Sequence, residues 1–541
     1  MTQPSTPSTL ITLDGVSYGL PDGRMLFTDL HEHFDQRPTG LVGRNGAGKT
    51  VLARILAGQL APSSGRCLRH GSVYYLAQQV APAPGATIAD LAGVRAELDA
   101  LARIAAGSVA VADFDLVGER WDLPQLLQQE LDQVGLGHHD ASTPASVLSG
   151  GQAMRVALAG AMLSGADFLI LDEPSNHLDR QHRQALIAQL QRWQRGLLVV
   201  SHDRQLLAAM ARIVELSPQG LRSYGGNYSF YAAARAQERQ SALDQLDLRK
   251  LERQREEQAM RTQRERQEKR QARGARQGQE ANQAKILLGR QKERSESSSG
   301  KLRQQQDAAR AQLSARVSAA AQQAHDDAQI VLHVPTVHGA QRRMVELDAV
   351  ALPFVPAATR HISLTLSAQQ RVGVVGSNGC GKSTLLQVLA GRIAPLAGRC
   401  QVVAGGVYLD QRLADLDPAR TVLEHLLAVN RVVAEGTLRT WLAQLGLDAQ
   451  KITAPSGALS GGERLKAALA CVLYADPPAP LLLLDEPGNH LDLPSLQALE
   501  TMLRSYRGAL LVVSHDDTFL DNLALTDRLD ASAHGWRLAP W

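Results

Sequence analysis

The sequence predicts an α/β protein in which two copies of one parallel-sheet domain stand in tandem, joined by a long α-helical hairpin linker. Three observations carry that prediction. The same motifs occur twice in the same order, each copy sets a glycine-rich loop between an apolar strand and a helix, and the stretch between the copies is long and polar, with no Phe, Trp or Tyr from Ala232 to Pro353.

GRNGAGKT at Gly43–Thr50 answers to GSNGCGKS at Gly376–Ser383, and YLAQ at Tyr75–Gln78 to YLDQ at Tyr408–Gln411. LSGGQ (Leu148–Gln152) pairs with LSGGE (Leu459–Glu463), and FLILDEPSNHLD (Phe168–Asp179) with LLLLDEPGNHLD (Leu481–Asp492). LLVVSHD recurs at Leu197–Asp203 and Leu510–Asp516. Five pairs in one order, offset by about 310 to 335 residues, mean that a whole domain is duplicated. The boundaries read as residues 1–225 for the first copy, 226–335 for the linker and 336–541 for the second copy.

Each motif has a chemical reason. The loop Gly-x-x-x-x-Gly-Lys-[Ser/Thr] lets backbone N–H groups converge on phosphates at a helix N-terminus, where the helix dipole favours anions. Gly43, Asn45, Gly46 and Gly48, and in the second copy Gly376, Asn378, Gly379 and Gly381, would form these nests. Lys49 and Lys382 would reach the β- and γ-phosphates of a nucleotide, and Thr50 and Ser383 would ligate Mg²⁺. Four apolar residues followed by two acids suit a strand buried on both faces, with carboxylates at its end. Asp172 and Asp485 would hold the Mg²⁺ through water, and Glu173 and Glu486 would orient or deprotonate the attacking water. His202 and His515 end a further apolar strand, placed to bond the γ-phosphate and that water. Gln78 and Gln411 end short strands and could sense the metal and the nucleophile.

The Ser-Gly-Gly of each LSGG motif makes a second anion nest in a domain that already owns one. The economical answer is that each nest closes on the other copy's nucleotide. Lys49 would then face Ser460, Gly461 and Gly462, and Lys382 would face Ser149, Gly150 and Gly151.

With these residues in place, both copies resemble ATP-binding-cassette ATPases, whose phosphate loop, glutamine loop, signature, Walker B motif, D-loop and histidine switch fall at these positions. More narrowly, the NHLD of both D-loops (Asn176–Asp179 and Asn489–Asp492, with Asp179 and Asp492) and SYGGNYSFY at Ser223–Tyr231 resemble the ABC-F group. That resemblance implies two P-loop ATP-binding-cassette domains that hydrolyse ATP with Mg²⁺. It further implies a cytosolic protein without membrane domains that binds the exit site of the ribosome and acts on translation or protects against antibiotics. The family's adenine-stacking aromatic falls on Tyr18, whereas the matching place in the second copy holds Leu352, with Phe354 nearby. Glu463 stands where the signature usually has Gln.

The linker is rich in Gln, Arg, Ala and Glu, and Leu243, Leu246, Leu248 and Leu251 offer a partial apolar stripe. Breakers at Arg273–Gln283 predict a helix from Tyr228 to Arg270, a tip near residues 271–285, and a returning helix, with Ser295–Gly300 as a second break or the alternative tip. From Arg235 to Arg316 there are 21 basic and 12 acidic residues, while the whole chain is only +3. Such a stretch suits RNA phosphates, with Arg273, Arg276 and Lys285 as tip contacts to rRNA and tRNA. The absence of aromatics argues against base stacking as its main grip. About 22 extra residues in the first copy, within residues 93–129, predict a short helical arm.

Bulk composition is that of an ordinary globular protein, 44% hydrophobic and 21% charged. No apolar run is long enough to span a bilayer, the polar start MTQPSTPST does not read as a signal peptide, and no added domain is expected after the second copy. Four scattered cysteines suit a cytoplasmic protein. Cys380, inside the second phosphate loop, is expected to block that site when alkylated. The chain is expected to be a monomer with an intramolecular pair of cassettes. The alternative reading is the soluble ATPase subunit of a membrane transporter, for which a basic helical spacer has no purpose. A DNA-repair ATPase would call for zinc-binding cysteine sets that this sequence lacks.

Overall fold

The computed structural model describes residues 10–176, 178–280, 304–321, 343–410, 413, 416–489 and 491–541. In the first cassette a six-stranded sheet runs in the order Val73–Leu76, Phe168–Asp172, Gly196–Val200, Thr39–Gly43, Arg212–Ser217, Gly220–Tyr224, the first five parallel and the last antiparallel. The second cassette repeats this order with Val407–Leu409, Leu481–Asp485, Ala509–Val513, Arg371–Gly376, Asp527–Ser532 and Gly535–Pro540. The runs FLILD, GLLVV, LLLLD and ALLVV are buried at every position, as strands covered on both faces must be. A three-stranded antiparallel sheet packs on each of these: Met25–Phe34, Ile11–Gly19 and Ser64–Arg69 in the first cassette, and His361–Ser367, Arg343–Ala351 and Ala397–Val402 in the second. Between the sheets lies an apolar core that includes Ile11, Leu13, Leu41, Leu52 and Ile170 in one copy and Leu347, Val372, Leu385 and Leu483 in the other.

Both phosphate loops follow the central strand, where parallel neighbours lie on both sides and the order of connection reverses. That edge is where open α/β sheets place their ligands.

Each cassette also carries a helical part leading to its signature. In the first it comprises Ile88–Leu91, Arg95–Ala105, Val111–Val117 and Leu123–Gln133. In the second it comprises Val422–Val429, Glu435–Gln444 and Ala449–Thr453. The copies register at their ends: Thr87 and Thr421 open the first helix with a capping box and bridge to Pro144 and Pro455. Leu123–Gln133 and Glu435–Gln444 are each followed by a left-handed glycine, Gly135 and Gly446. Leu123–Gln133 therefore has a counterpart, and the expected arm over residues 93–129 narrows to the pair Arg95–Ala105 and Val111–Val117. Sequence length alone assigned the start of a shared helix to the insertion.

The linker helix spans Tyr228–Glu280, 53 residues, or about 80 Å at 1.5 Å per residue. It passes Arg270 and enters the expected tip as far as Glu280, beyond which residues 281–285 of that tip, like Ser295–Gly300, fall outside the described residues. Gly274 and Gly278 each cost a helix interior about 1 kcal/mol, too little to break it among Arg, Gln, Ala and Glu. Arg273 and Arg276 thus lie in the helix rather than in a bend, and Lys285 falls outside the described residues. Along the helix, ion pairs such as Arg249–Glu252 at 2.7 Å and Arg261–Glu265 at 3.4 Å join residues three or four apart. Of the expected apolar stripe, Leu243 and Leu246 are half-buried while Leu248 and Leu251 are exposed. A second helix covers residues 304–321, and its Arg310 lies 3.9 Å from Glu257.

Candidate active site

The two phosphate loops adopt the same backbone. Gly48 and Gly381 cap the helices Lys49–Leu56 and Lys382–Leu389 in the left-handed region, at φ 98° and 103°. A Cβ on Gly48 would meet Leu26, and one on Gly381 would meet Val355, at 2.5 and 2.6 Å. Glycine is required there for its conformation and for its size. Lys49 Nζ donates to the carbonyls of Gly43 and Arg44 at 2.9 and 3.2 Å, and Lys382 Nζ to those of Gly376 and Ser377 at 2.9 and 2.8 Å. Burial pulls the Lys49 amine down, and the carboxylates of Glu173, Asp492 and Asp172 partly offset that.

The metal-binding residues expected from sequence come together. Ser383 Oγ lies 3.0 Å from Asp485 Oδ1, and the Thr50 side chain hydrogen-bonds Asp172. Burial raises both aspartates, opposed first by those hydroxyl bonds. Asp172 Oδ1 is buried with no hydrogen-bond partner among the described residues, an acceptor left for a metal-bound water. One hydroxyl and one carboxylate per site fit a magnesium ion that takes its remaining ligands from phosphate and water. Two tyrosines escaped the sequence reading. Tyr75 and Tyr408 donate to the second oxygen of the same aspartates, at 3.2 and 3.3 Å. Their signal was the shared Tyr-Leu-x-Gln, in which only the Gln drew notice. Gln78 sits half-buried two residues past its strand, and Gln411 lies outside the described residues.

Glu173 and Glu486 share a backbone that only a held site maintains. Both have φ 49°, in the left-handed region that non-glycine residues rarely enter, and both N–H groups are tied to a neighbouring strand, at Val200 and Val513. His202 Nε2 is 3.6 Å from Glu173 Oε1, and His515 Nε2 is 3.4 Å from Glu486 Oε1. Burial pushes both glutamates up to about 8, with Lys49 and Lys382 pulling the other way, and it drives both histidines down to about 3. A buried carboxylate tuned upward is a better proton acceptor once a cation holds it ionised.

The cassettes meet through their D-loops. Asp179 Oδ2 accepts the backbone N–H of Asn378 at 3.2 Å, and Asp492 Oδ2 accepts that of Asn45 at 2.8 Å. Each aspartate also caps its own helix, Arg180–Arg192 or Leu493–Ser505, with its other oxygen. One carboxylate thus joins its own helix to the opposite phosphate loop. In the signatures, Ser149 and Ser460 cap their own helices in capping boxes closed by Gln152 and Glu463, and both serines are exposed with Gly150 and Gly461. Gly151 is half-buried and Gly462 buried. The cavity over Lys382, Ser383 and Asn378 is lined by second-cassette residues alone. Glu463, which stands where Gln is usual, performs the same capping, so that departure is conservative.

Around the second site the aromatic residue is Phe354. Leu352 is fully buried, while Phe354 is 93% exposed and lines the cavity beside Gly379 and Lys382. The second-copy aromatic lies two residues beyond the position that repeat alignment indicates. Tyr18 is half-buried and packs beside Phe27, with ring centroids 6.3 Å apart. Phe354→Ala should raise the KM for ATP several-fold, since stacking on a base contributes about 1–3 kcal/mol. Titration with a fluorescent ATP analogue checks this, and an unchanged affinity would remove Phe354 from the site. Cys380 is buried at 6% exposure, its Sγ 4.0 Å from Lys382 Nζ.

A family model described as "ABC transporter" matches residues 34–176 and 359–489. The chain is 30% identical over 492 residues to the probable ATP-binding protein YheS of Escherichia coli K12, covering 88% of this chain and 72% of that protein. It is 31% identical to the energy-dependent translational throttle protein EttA of Mycobacterium tuberculosis, covering 89% and 84%. It is 28% identical to the ribosome protection protein VmlR of Bacillus subtilis, covering 95% and 85%. Among solved structures, the archaeal ribosome recycling factor aABCE1, in complex with the stalk protein aP1, superposes with a TM-score of 0.55 at 18% identity, over 97% of this chain and 89% of that one. Among the described residues no helix is long and apolar enough to cross a membrane.

Proposed function

Because this chain belongs to the ABC-F family of tandem ATP-binding-cassette ATPases, we propose that it acts on the ribosome in the cytoplasm, as a translation factor or in protection against antibiotics. ATP draws the cassettes together, and the linker is thereby set among rRNA and tRNA. The observation that carries this reading is a pair of matching catalytic constellations tied across one chain, together with a linker helix far longer than a domain connection needs. Relatives named for ribosome protection and translational throttling match along most of their length.

Within the sites, Lys49 and Lys382 hold phosphate oxygens, and Glu173 and Glu486 orient the attacking water and accept its proton. His202 and His515 keep water and γ-phosphate aligned. Thr50 with Asp172, and Ser383 with Asp485, would hold Mg²⁺, which neutralises charge on the phosphates when bound. In the closed state the nests at Ser149–Gly151 and Ser460–Gly462 complete the opposite sites. Arg44 of the first phosphate loop lies near enough to Lys466, on the second signature helix, to add to the burial that lowers that amine.

The test is sedimentation. The chain carrying Glu173→Gln and Glu486→Gln, supplied with Mg-ATP, should travel with ribosomes in a sucrose gradient. Arg273→Glu, Arg276→Glu and Lys285→Glu together should weaken that association, more so as salt rises. Protein that remains at the top of the gradient but is retained by a membrane permease would replace this reading with that of a transporter subunit.

A further inference from the structure

Arg183 breaks the symmetry of the repeat at the catalytic centre. It lies on the helix Arg180–Arg192, four residues beyond Asp179, and the position four residues beyond Asp492 holds Leu496. Arg183 Nη1 donates to the backbone carbonyl of His515, across the cassettes, at 2.6 Å. Its Nε lies 2.8 Å from Asp203 Oδ2, the residue next to His202. The Arg183 side chain is 11% exposed and that of Asp203 10%. Both line the central cavity, of about 80 Å³, together with Glu173, His202, Glu486 and His515.

We propose that Arg183 is a positioning residue for hydrolysis in the second ATP site, supplied by the first cassette, and that the two sites are unequal because Leu496 cannot do the same for the first. Asp203 orients the guanidinium, and the charged donor fixes the His515 backbone. The imidazole that follows from that backbone stands beside Glu486. A charge-assisted bond from a planar, pre-oriented donor holds this geometry better than a neutral contact would. Leu496 has no polar atom to offer the carbonyl of His202.

This inference rests on the assignment of Glu486 and His515 to hydrolysis, and the experiment separates the two. Photolabelling with 8-azido-ATP, with and without vanadate, followed by digestion and peptide assignment, reads each cassette of the full chain separately. Arg183→Leu should cut vanadate-dependent trapping in the second cassette at least about tenfold, given the cost of a misplaced catalytic group. Trapping in the first cassette should fall several-fold less than trapping in the second, and vanadate-free labelling of both should stay within about twofold, since Arg183 touches neither phosphate loop. Arg183→Lys should recover part of the loss, and it provides the same comparison if the leucine variant does not fold. Equal losses in both cassettes would reduce Arg183 to a clamp between domains, and no loss would remove it from the site altogether. A native chain that traps nothing in its second cassette would overturn the assignment of Glu486 and His515 as well.

Discussion

Glu173→Gln combined with Glu486→Gln should lower kcat for ATP hydrolysis by about 10²–10⁴-fold while leaving the Kd for ATP within about threefold. Glutamine keeps the size of the side chain and can keep its contact with His202 or His515, but it cannot take a proton from water. The strained backbone at φ 49° is held by the N–H bonds to Val200 and Val513, which the substitution leaves intact. Binding depends instead on the phosphate loops, Lys49 and Lys382, which lie outside the change. Phosphate release in steady state and titration with a fluorescent ATP analogue give the two numbers. A kcat within about tenfold of the native value would mean that another group activates the water.

Residues named by that prediction were legible in the sequence because their chemistry is local. A phosphate loop, two acids at the end of a strand and a histidine at the end of the next are each written within a dozen residues, and the duplication wrote each twice. Contacts between the copies were not legible for the opposite reason. Arg183 meets His515, and Arg204 meets Glu500, across about 300 residues of chain with no motif to announce them. The repeat even hides them, because the mirror positions, Leu496 for Arg183 and Ile187 for Glu500, carry apolar residues. Phe354 was obscured because it lies in the loop after Arg343–Ala351, two residues beyond Leu352, whereas Tyr18 lies within its strand. The linker was misread where Gly274 and Gly278 suggested a bend, since a local breaker signal ignores the helix on either side of it.

Glu500→Ala should be among the most destabilising single changes in this chain. Arg204 Nη1 lies 2.6 Å from Glu500 Oε1, with side chains only 5% and 10% exposed, and Asn522 donates to the other carboxylate oxygen at 3.1 Å. Removing one member of a buried pair leaves Arg204 buried with Tyr228 and the field of Asp516 but no paired carboxylate, at a cost of about 3–5 kcal/mol. For a unit of this size that corresponds to a drop in Tm on the order of 10 °C for the transition in which the cassettes part. Arg204→Met together with Glu500→Leu should recover most of the loss, because an apolar pair of similar volume avoids desolvating charge. Arg261→Ala, which removes one end of a solvent-exposed linker ion pair, should shift Tm by no more than about 2 °C, since such pairs contribute roughly 0–1 kcal/mol. Differential scanning calorimetry of the four chains decides the matter, and a Glu500→Ala chain melting with the Arg261→Ala control would show that the pair carries no stability. The consequence extends to the linker root. Tyr228, the first residue of the linker helix, is buried against Arg204 and within the field of Glu500, so the pair that locks the cassettes also seats the start of the helix. A Glu500→Ala chain should therefore lose ribosome co-sedimentation along with thermal stability, while the Met–Leu pair, which restores packing but not the charge next to Tyr228, should regain the stability first.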